Sequence, residues 1–263
     1  MGRLIVQIYE VQDPGEAARL VSLGVDHIGS VVLAPETWKD VTLRDTVREV
    51  QGAGAVSSLI PLYSDPELVF RTLDYYGPDI LHLCDDLIGS IHDRHALDPF
   101  VSLQEGVRHR FPEVRIMRSI PISVPGATKV YPTLEVARIL EPVSDLFLTD
   151  TLVDNGDGIA RDEQPVAGFV GITGITCNWG VAAELTAQSR IPVLLAGGIS
   201  PDNAYDGVLQ TSPAGIDSCT QTNAVDTSGN PIRFRKDPEK VRKMIAEVRR
   251  AERDMKPQIM DTA

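Results

Sequence analysis

The sequence predicts a single-domain (β/α)8 barrel, an α/β fold in which eight parallel strands close into a ring. Eight short apolar runs recur along the chain, helix-start signals fall between many of them, and no linker or composition break divides the 263 residues. A chain of this length can bury about 75% of its unfolded surface in one core. The barrel domain is expected over residues 1–254, with a polar C-terminal tail at 255–263. An open doubly wound sheet is the alternative, but no G-x-G-x-x-G follows the first strand.

The predicted strands are Leu4–Ile8, Ile28–Leu33, Ser58–Leu62, Ile80–Leu83, Val114–Ile120, Leu146–Leu148, Val193–Ala196 and Gly215–Asp217. Several are continuously apolar, as strands covered on both faces are. Capping chemistry marks the helices between them. Asp13-Pro14-Gly15-Glu16 offers an acceptor, a first-turn proline and a carboxylate, and Gly24 stops the helix. Thr42 opens the next, Ser64-Asp65-Pro66-Glu67 another that closes at Gly77, and Ser200-Pro201-Asp202-Asn203 and Asp237-Pro238-Glu239-Lys240 two more. Val241, Met244, Ile245 and Val248 give the last helix its apolar face.

Lys and Arg number 25 against 37 Asp and Glu, a net charge of -12. That charge repels nucleic acid and anionic membranes, so neither is expected as a partner, while a small anion needs only a local amide-lined spot. No apolar stretch reaches the ~18 residues of a membrane span, and the N-terminal residues carry no secretory pattern. Cys84, Cys177 and Cys219 are odd in number and far apart, with no zinc or redox spacing, which suits a reducing cytoplasm.

Barrel chemistry sits at strand C-terminal ends and in the loops beyond them. That rule selects Tyr9 and Glu10 after strand one, His82, Cys84, Asp85 and Asp86 around strand four, Arg118 and Ser119 at strand five, Asp150 at strand six, Gly197-Gly198 at strand seven, and Cys219-Thr220 at strand eight. Gly197-Gly198 lets the backbone approach an anion, and its place in the seventh unit favours a phosphate cradle over a plain turn. Asp150 reads equally as a general acid with a burial-raised pKa and as a turn cap. Gly171 to Trp179 reads as a lid or an ordinary Gly/Thr loop. Glu10, Asp85, Asp86 and Asp150 form either a hard-cation site or a set of solvated loop acids, and the second reading is preferred. His92 and His95 read as surface residues, and Trp38 and Trp179 as packing or lid residues.

In order along nearly the whole chain, these pieces resemble the phosphoribosylanthranilate isomerase family of tryptophan biosynthesis. Val6-Gln7-Ile8-Tyr9-Glu10-Val11-Gln12-Asp13-Pro14-Gly15-Glu16-Ala17 is similar to its opening V-K-I-C-G-I-T-x-P-E-D-A. Gly24-Val25-Asp26-His27-Ile28-Gly29 resembles G-A-D-x-I-G, and Asp79 to Asp86 resembles D-V-V-Q-L-H-G-D. Phe147 to Asp150 resembles F-L-L-D, and Gly171 to Trp179 resembles the lid G-G-T-G-K-x-F-D-W. Leu195-Ala196-Gly197-Gly198-Ile199-Ser200-Pro201-Asp202-Asn203 matches L-A-G-G-L-N-P-E-N most closely. Gly215 to Asn223 resembles G-V-D-V-S-S-G-V-E, and Lys236 to Lys240 matches K-D-P-E-K.

The resemblance implies an isomerase that opens a ribose ring and converts an aldose amine to a ketose amine without a cofactor. Asp150 takes the general-acid place. Gly174, Gly197, Gly198, Cys219 and Thr220 take the phosphate places, and Arg118 is added as a substrate-binding candidate. Tyr9 stands where the family has its Cys base, and Glu10 where it has Gly. Phenol titrates at about 10 and thiol at about 8.5, so an unperturbed Tyr is the poorer base. Tyr9, Glu10 and Cys84 are therefore all carried as base candidates. The segment between Asp150 and Gly171 is longer than the family usual. A phosphorylated small molecule is the expected partner. A diverged phosphosugar lyase or aldolase, with or without a metal, and a non-catalytic relative are the alternatives.

Overall fold

The computed structural model describes residues 2–87, 93–127, 130–153, 169–171 and 173–255. His92, Ile172 and the tail beyond Met255 lie outside them. Eight parallel strands form a closed barrel in chain order: β1 (Ile5–Ile8), β2 (His27–Val32), β3 (Val56–Pro61), β4 (Ile80–Leu83), β5 (Arg115–Ser123), β6 (Leu146–Leu152), β7 (Val193–Leu195) and β8 (Gly215–Ser218). Closure is made by β1 against β8, from Ile5 opposite Gly215 to Ile8 opposite Ser218. Each strand is buried almost throughout, which explains the continuous apolar runs.

The helices are α1 (Pro14–Leu23), α2 (Val41–Gly52), α3 (Pro66–Tyr76), α4 (Asp98–Arg110), α5 (Thr133–Leu140), α6 (Trp179–Gln188), α7 (Ala204–Thr211) and α8 (Pro238–Met255). Asp13 caps α1 by accepting from Glu16 N, and Gly24 ends it at φ 102°. One predicted start shifts. Asp40, not Thr42, caps α2, while Asp65 within the expected stretch caps α3, and each carboxylate accepts the free N–H three residues on. On α8, Val241, Met244, Val248 and Ala251 bury one face against β1, α1 and α7. Its Arg249 donates to Leu4 O and pairs with Asp26, binding the last helix to the first two strands.

Sequence periodicity did not reveal an antiparallel hairpin of β9 (Asn223–Val225) and β10 (Pro231–Lys236), which follows β8 at the barrel mouth. Its turn is held by Asp226, whose carboxylate accepts from Ser228 N and Asn230 N. The buried Lys236 fastens it to the rim, donating to Cys219 O at 3.0 Å and Asn223 Oδ1 at 2.5 Å. Among the described residues, no helix is long and apolar enough to cross a membrane.

Candidate active site

A pocket opens at the C-terminal mouth of the barrel, and most of the expected residues line it. Tyr9 and Glu10 come from beyond β1, Cys84 from beyond β4, Asp150 from β6, Gly174 from the loop before α6, Gly197 and Gly198 from beyond β7, and Cys219 and Thr220 from beyond β8. Barrel closure brings the first and last groups together, and Tyr9 N donates to Ser218 O at 3.1 Å.

The β7 rim and the loop before α6 touch closely. A Cβ at Gly198, where φ is 63°, would fall 2.5 Å from the backbone of Ile175 and Thr176, so no side chain fits. Gln221 Nε2 donates to Gly174 O at 2.9 Å, tying that loop to the β8 rim. Thr149 Oγ1 donates to Ala196 O at 3.0 Å, locking β6 to β7 beside Asp150.

Asp150 is buried, and burial raises its pKa to about 7, opposed by hydrogen bonds from Thr151 N and the Ser119 hydroxyl. A carboxyl in that range carries a proton through much of neutral solution and can donate it. Asp217, on β8, was treated in the sequence only as a strand residue. It also lines the pocket, and burial lifts it to about 7 against the 3.1 Å hydrogen bond from Gln7 Nε2. Its neighbour Asp150 adds to that rise. A charged residue amid the β8 pattern Gly215-Ile216-Asp217-Ser218 was the available signal.

Glu10 is 1% exposed and adopts φ 61°, the left-handed region that the resembled motif fills with Gly. Arg233 of the hairpin holds its Oε1, with Nε at 2.7 Å and Nη2 at 2.6 Å. Its Oε2 has no hydrogen-bond partner.

Three sequence assignments require correction. Arg118 does not line the pocket: β5 continues to Ser123, so Arg118 is mid-strand, fully buried, and paired with Asp85 Oδ2 at 2.7 Å. Tyr9 does line it, but its phenol is unsuited to act as base. Burial pushes its pKa well above 10, and its oxygen is engaged by Ser58 and by His82 Nδ1 at 2.7 Å. Cys84 is likewise unsuited, its thiol raised by burial and by Asp85 and Asp150. Of the acids weighed as a hard-cation site or as solvated loop acids, Glu10 and Asp150 line the pocket and, with Asp85, are buried rather than solvated. Asp85 is committed to Arg118 and Ser64, and among the described residues no cluster of three His, Cys, Asp or Glu has metal-holding geometry.

No family model matches the chain. The N-(5'-phosphoribosyl)anthranilate isomerase of Haloferax volcanii is 29% identical over 94% of this chain and 93% of its own length. The chain is thus similar to the phosphoribosylanthranilate isomerases over nearly its whole length. The counterpart from Methanosarcina acetivorans is 27% identical over 93% of this chain and 92% of its own. The crystal structure of the Thermotoga maritima isomerase shares the fold, with TM-score 0.63, 15% identity, and coverage of 94% of this chain and 98% of that one. A further isomerase structure, at TM-score 0.62 and 15% identity with the same coverage, holds reduced 1-(o-carboxyphenylamino)-1-deoxyribulose 5-phosphate.

Proposed function

We propose that the protein is an aldose–ketose isomerase acting on a phosphorylated amino sugar of the phosphoribosylanthranilate type. The observation that carries this reading is Asp150, a buried carboxyl with a pKa of about 7, in a pocket bounded by the β7 and β8 rims. The relatives named for this activity span nearly the whole chain, and a solved isomerase holds a phosphorylated product analogue.

In this reading the amides around Gly197-Gly198 and Cys219-Thr220, with Gly174 across from them, receive the phosphate. Asp150 gives its proton to the ring oxygen as the C1–O bond breaks, leaving an iminium at C1. Glu10 then takes the C2 proton through Oε2, and tautomerisation of the resulting enolamine yields the ketose amine. Proton loss at C2 balances proton gain elsewhere, so no oxidant or cofactor enters. Asp217 is the second candidate for the base, favoured by its pKa of about 7, where base strength and availability balance.

A fluorescence assay with phosphoribosylanthranilate tests the activity. Turnover is expected, with Asp150→Asn lowering kcat by roughly 10²–10⁴-fold, the range of general-acid contributions. Glu10→Gln and Asp217→Asn separate the two bases, since the true base loses kcat by a similar factor. Absence of turnover at high enzyme concentration rejects the reading. Tyr9 in place of the family's Cys then favours a different phosphosugar reaction, sought by thermal shift against a phosphosugar panel.

A further inference from the structure

Polar side chains beneath the pocket join into a line that crosses the barrel. Ser58 Oγ on β3 contacts Tyr9 Oη, Tyr9 Oη lies 2.7 Å from His82 Nδ1 on β4, and His82 Nε2 lies 2.8 Å from Ser119 Oγ on β5. All four residues are buried, and Ser119 ends the line beside Asp150 on β6, where its hydroxyl opposes the burial that raises the Asp150 pKa. Tyr9 fits because position 29 is glycine. A Cβ there would lie 2.2 Å from the Tyr9 ring.

Once Asp150 has given up its proton, proton counting fixes the direction of the line. Burial, with Arg118 nearby, lowers the His82 pKa to about 3, so the ring is neutral, with one donor and one acceptor nitrogen. An ionised Asp150 only accepts, so Ser119 donates to it. Ser119 then accepts from His82 Nε2–H, Nδ1 accepts from the Tyr9 hydroxyl, and Tyr9 accepts from Ser58. With Asp150 ionised, this direction satisfies every member.

We propose that Tyr9, His82 and Ser119 are positioning residues for Asp150. Their aligned donors orient its carboxyl and stabilise the anion it becomes on giving up a proton. The phenol at the strand-one position thus serves the acid rather than replacing the base. The catalytic value of this arrangement rests on Asp150 being the proton donor, but the coupling to its titration does not.

Other elements also present titratable groups to Asp150: Asp217 from β8, Cys84 after β4 and Cys177 before α6. Both thiols are raised by burial and stay neutral near pH 7, leaving Asp217 as the charged neighbour. Arg118 faces His82, and Asp217, Cys84 and Cys219 face Tyr9.

The test is a carboxyl ¹³C NMR titration of aspartate-labelled protein, with the Asp150 signal assigned by its loss in Asp150→Asn. Ser119→Ala is expected to raise the Asp150 midpoint by about one pH unit, the scale of one hydrogen bond to a charged group. Tyr9→Phe, which keeps the ring and its packing, raises it by less in the same direction. The alkaline limb of kcat moves with the NMR midpoint, while KM holds. Folded Ser119→Ala and Tyr9→Phe proteins with unmoved midpoints overturn the proposal. The titration needs no substrate, so shifted midpoints without turnover support the chain of donors and count against the isomerase reading alone.

Discussion

Asp150 and Asp217 are held protonated to about pH 7 by burial, and this has a consequence for stability as well as for acid chemistry. An unfolded Asp titrates at about 3.9, so each native carboxyl binds protons more tightly than the unfolded chain does. The stability this confers is complete below about pH 4 and is lost as pH rises through about 7. At pH 8 the fold holds two ionised carboxylates in a site that disfavours them. Asp150→Asn is therefore expected to stabilise the protein by roughly 2 kcal/mol at pH 8 and to leave it nearly unchanged at pH 3.5. Urea unfolding at the two pH values checks this, and equal effects at both would reject it. The polar residues beneath the pocket were the least legible part of the sequence. His82 and Ser119 were marked only by their place near strand ends, and Asp217 was not marked at all. Their meaning comes from contacts across the ring between residues 37 to 210 positions apart, which no local pattern encodes.

Among the elements, the β9–β10 hairpin links structure to the site through one ion pair. Arg233→Ala would leave the buried Glu10 carboxylate without a counter-charge. The Arg233 side chain is 38% exposed, so solvent screening reduces the effect below that of a dry pair. A loss of about 1–2 kcal/mol is expected, largely recovered in the Glu10→Gln/Arg233→Ala double variant, where no charge remains to be compensated. A double-mutant cycle by thermal denaturation measures it, and strictly additive losses would contradict the coupling. Strands and capped helices were legible because burial on both faces and N-cap carboxylates leave local marks. The hairpin was not, because β10 alternates exposed and half-buried residues over a short span. Arg118 was misplaced for a related reason. The apolar run ends at Ile120, but hydrogen bonding to β6 continues to Ser123, moving the strand's end three residues onward.

At the scale of the whole molecule, the -12 charge repels the polyanionic substrate of the proposed reaction, which carries a phosphate and a carboxylate, before the local amides can hold it. Salt screens that long-range repulsion, with a Debye length of about 30 Å at 0.01 M and about 10 Å at 0.1 M. The value of kcat/KM is expected to rise severalfold between those ionic strengths and then level off. A monotonic fall would show that local positive potential outweighs the net charge. The barrel itself was legible from end to end, since eight alternating units and a continuous resemblance agree on one architecture.

The fit of the Tyr9 ring over Gly29 also constrains how this chain could change. Placing a cysteine at position 9 would open a ring-sized void beside position 29 and strip His82 Nδ1 of its partner. Filling the void from position 29 helps only once the ring has gone, because while Tyr9 is present any side chain there collides with it. Neither substitution is favourable alone, so the ring at position 9 and the glycine at position 29 hold one another in place.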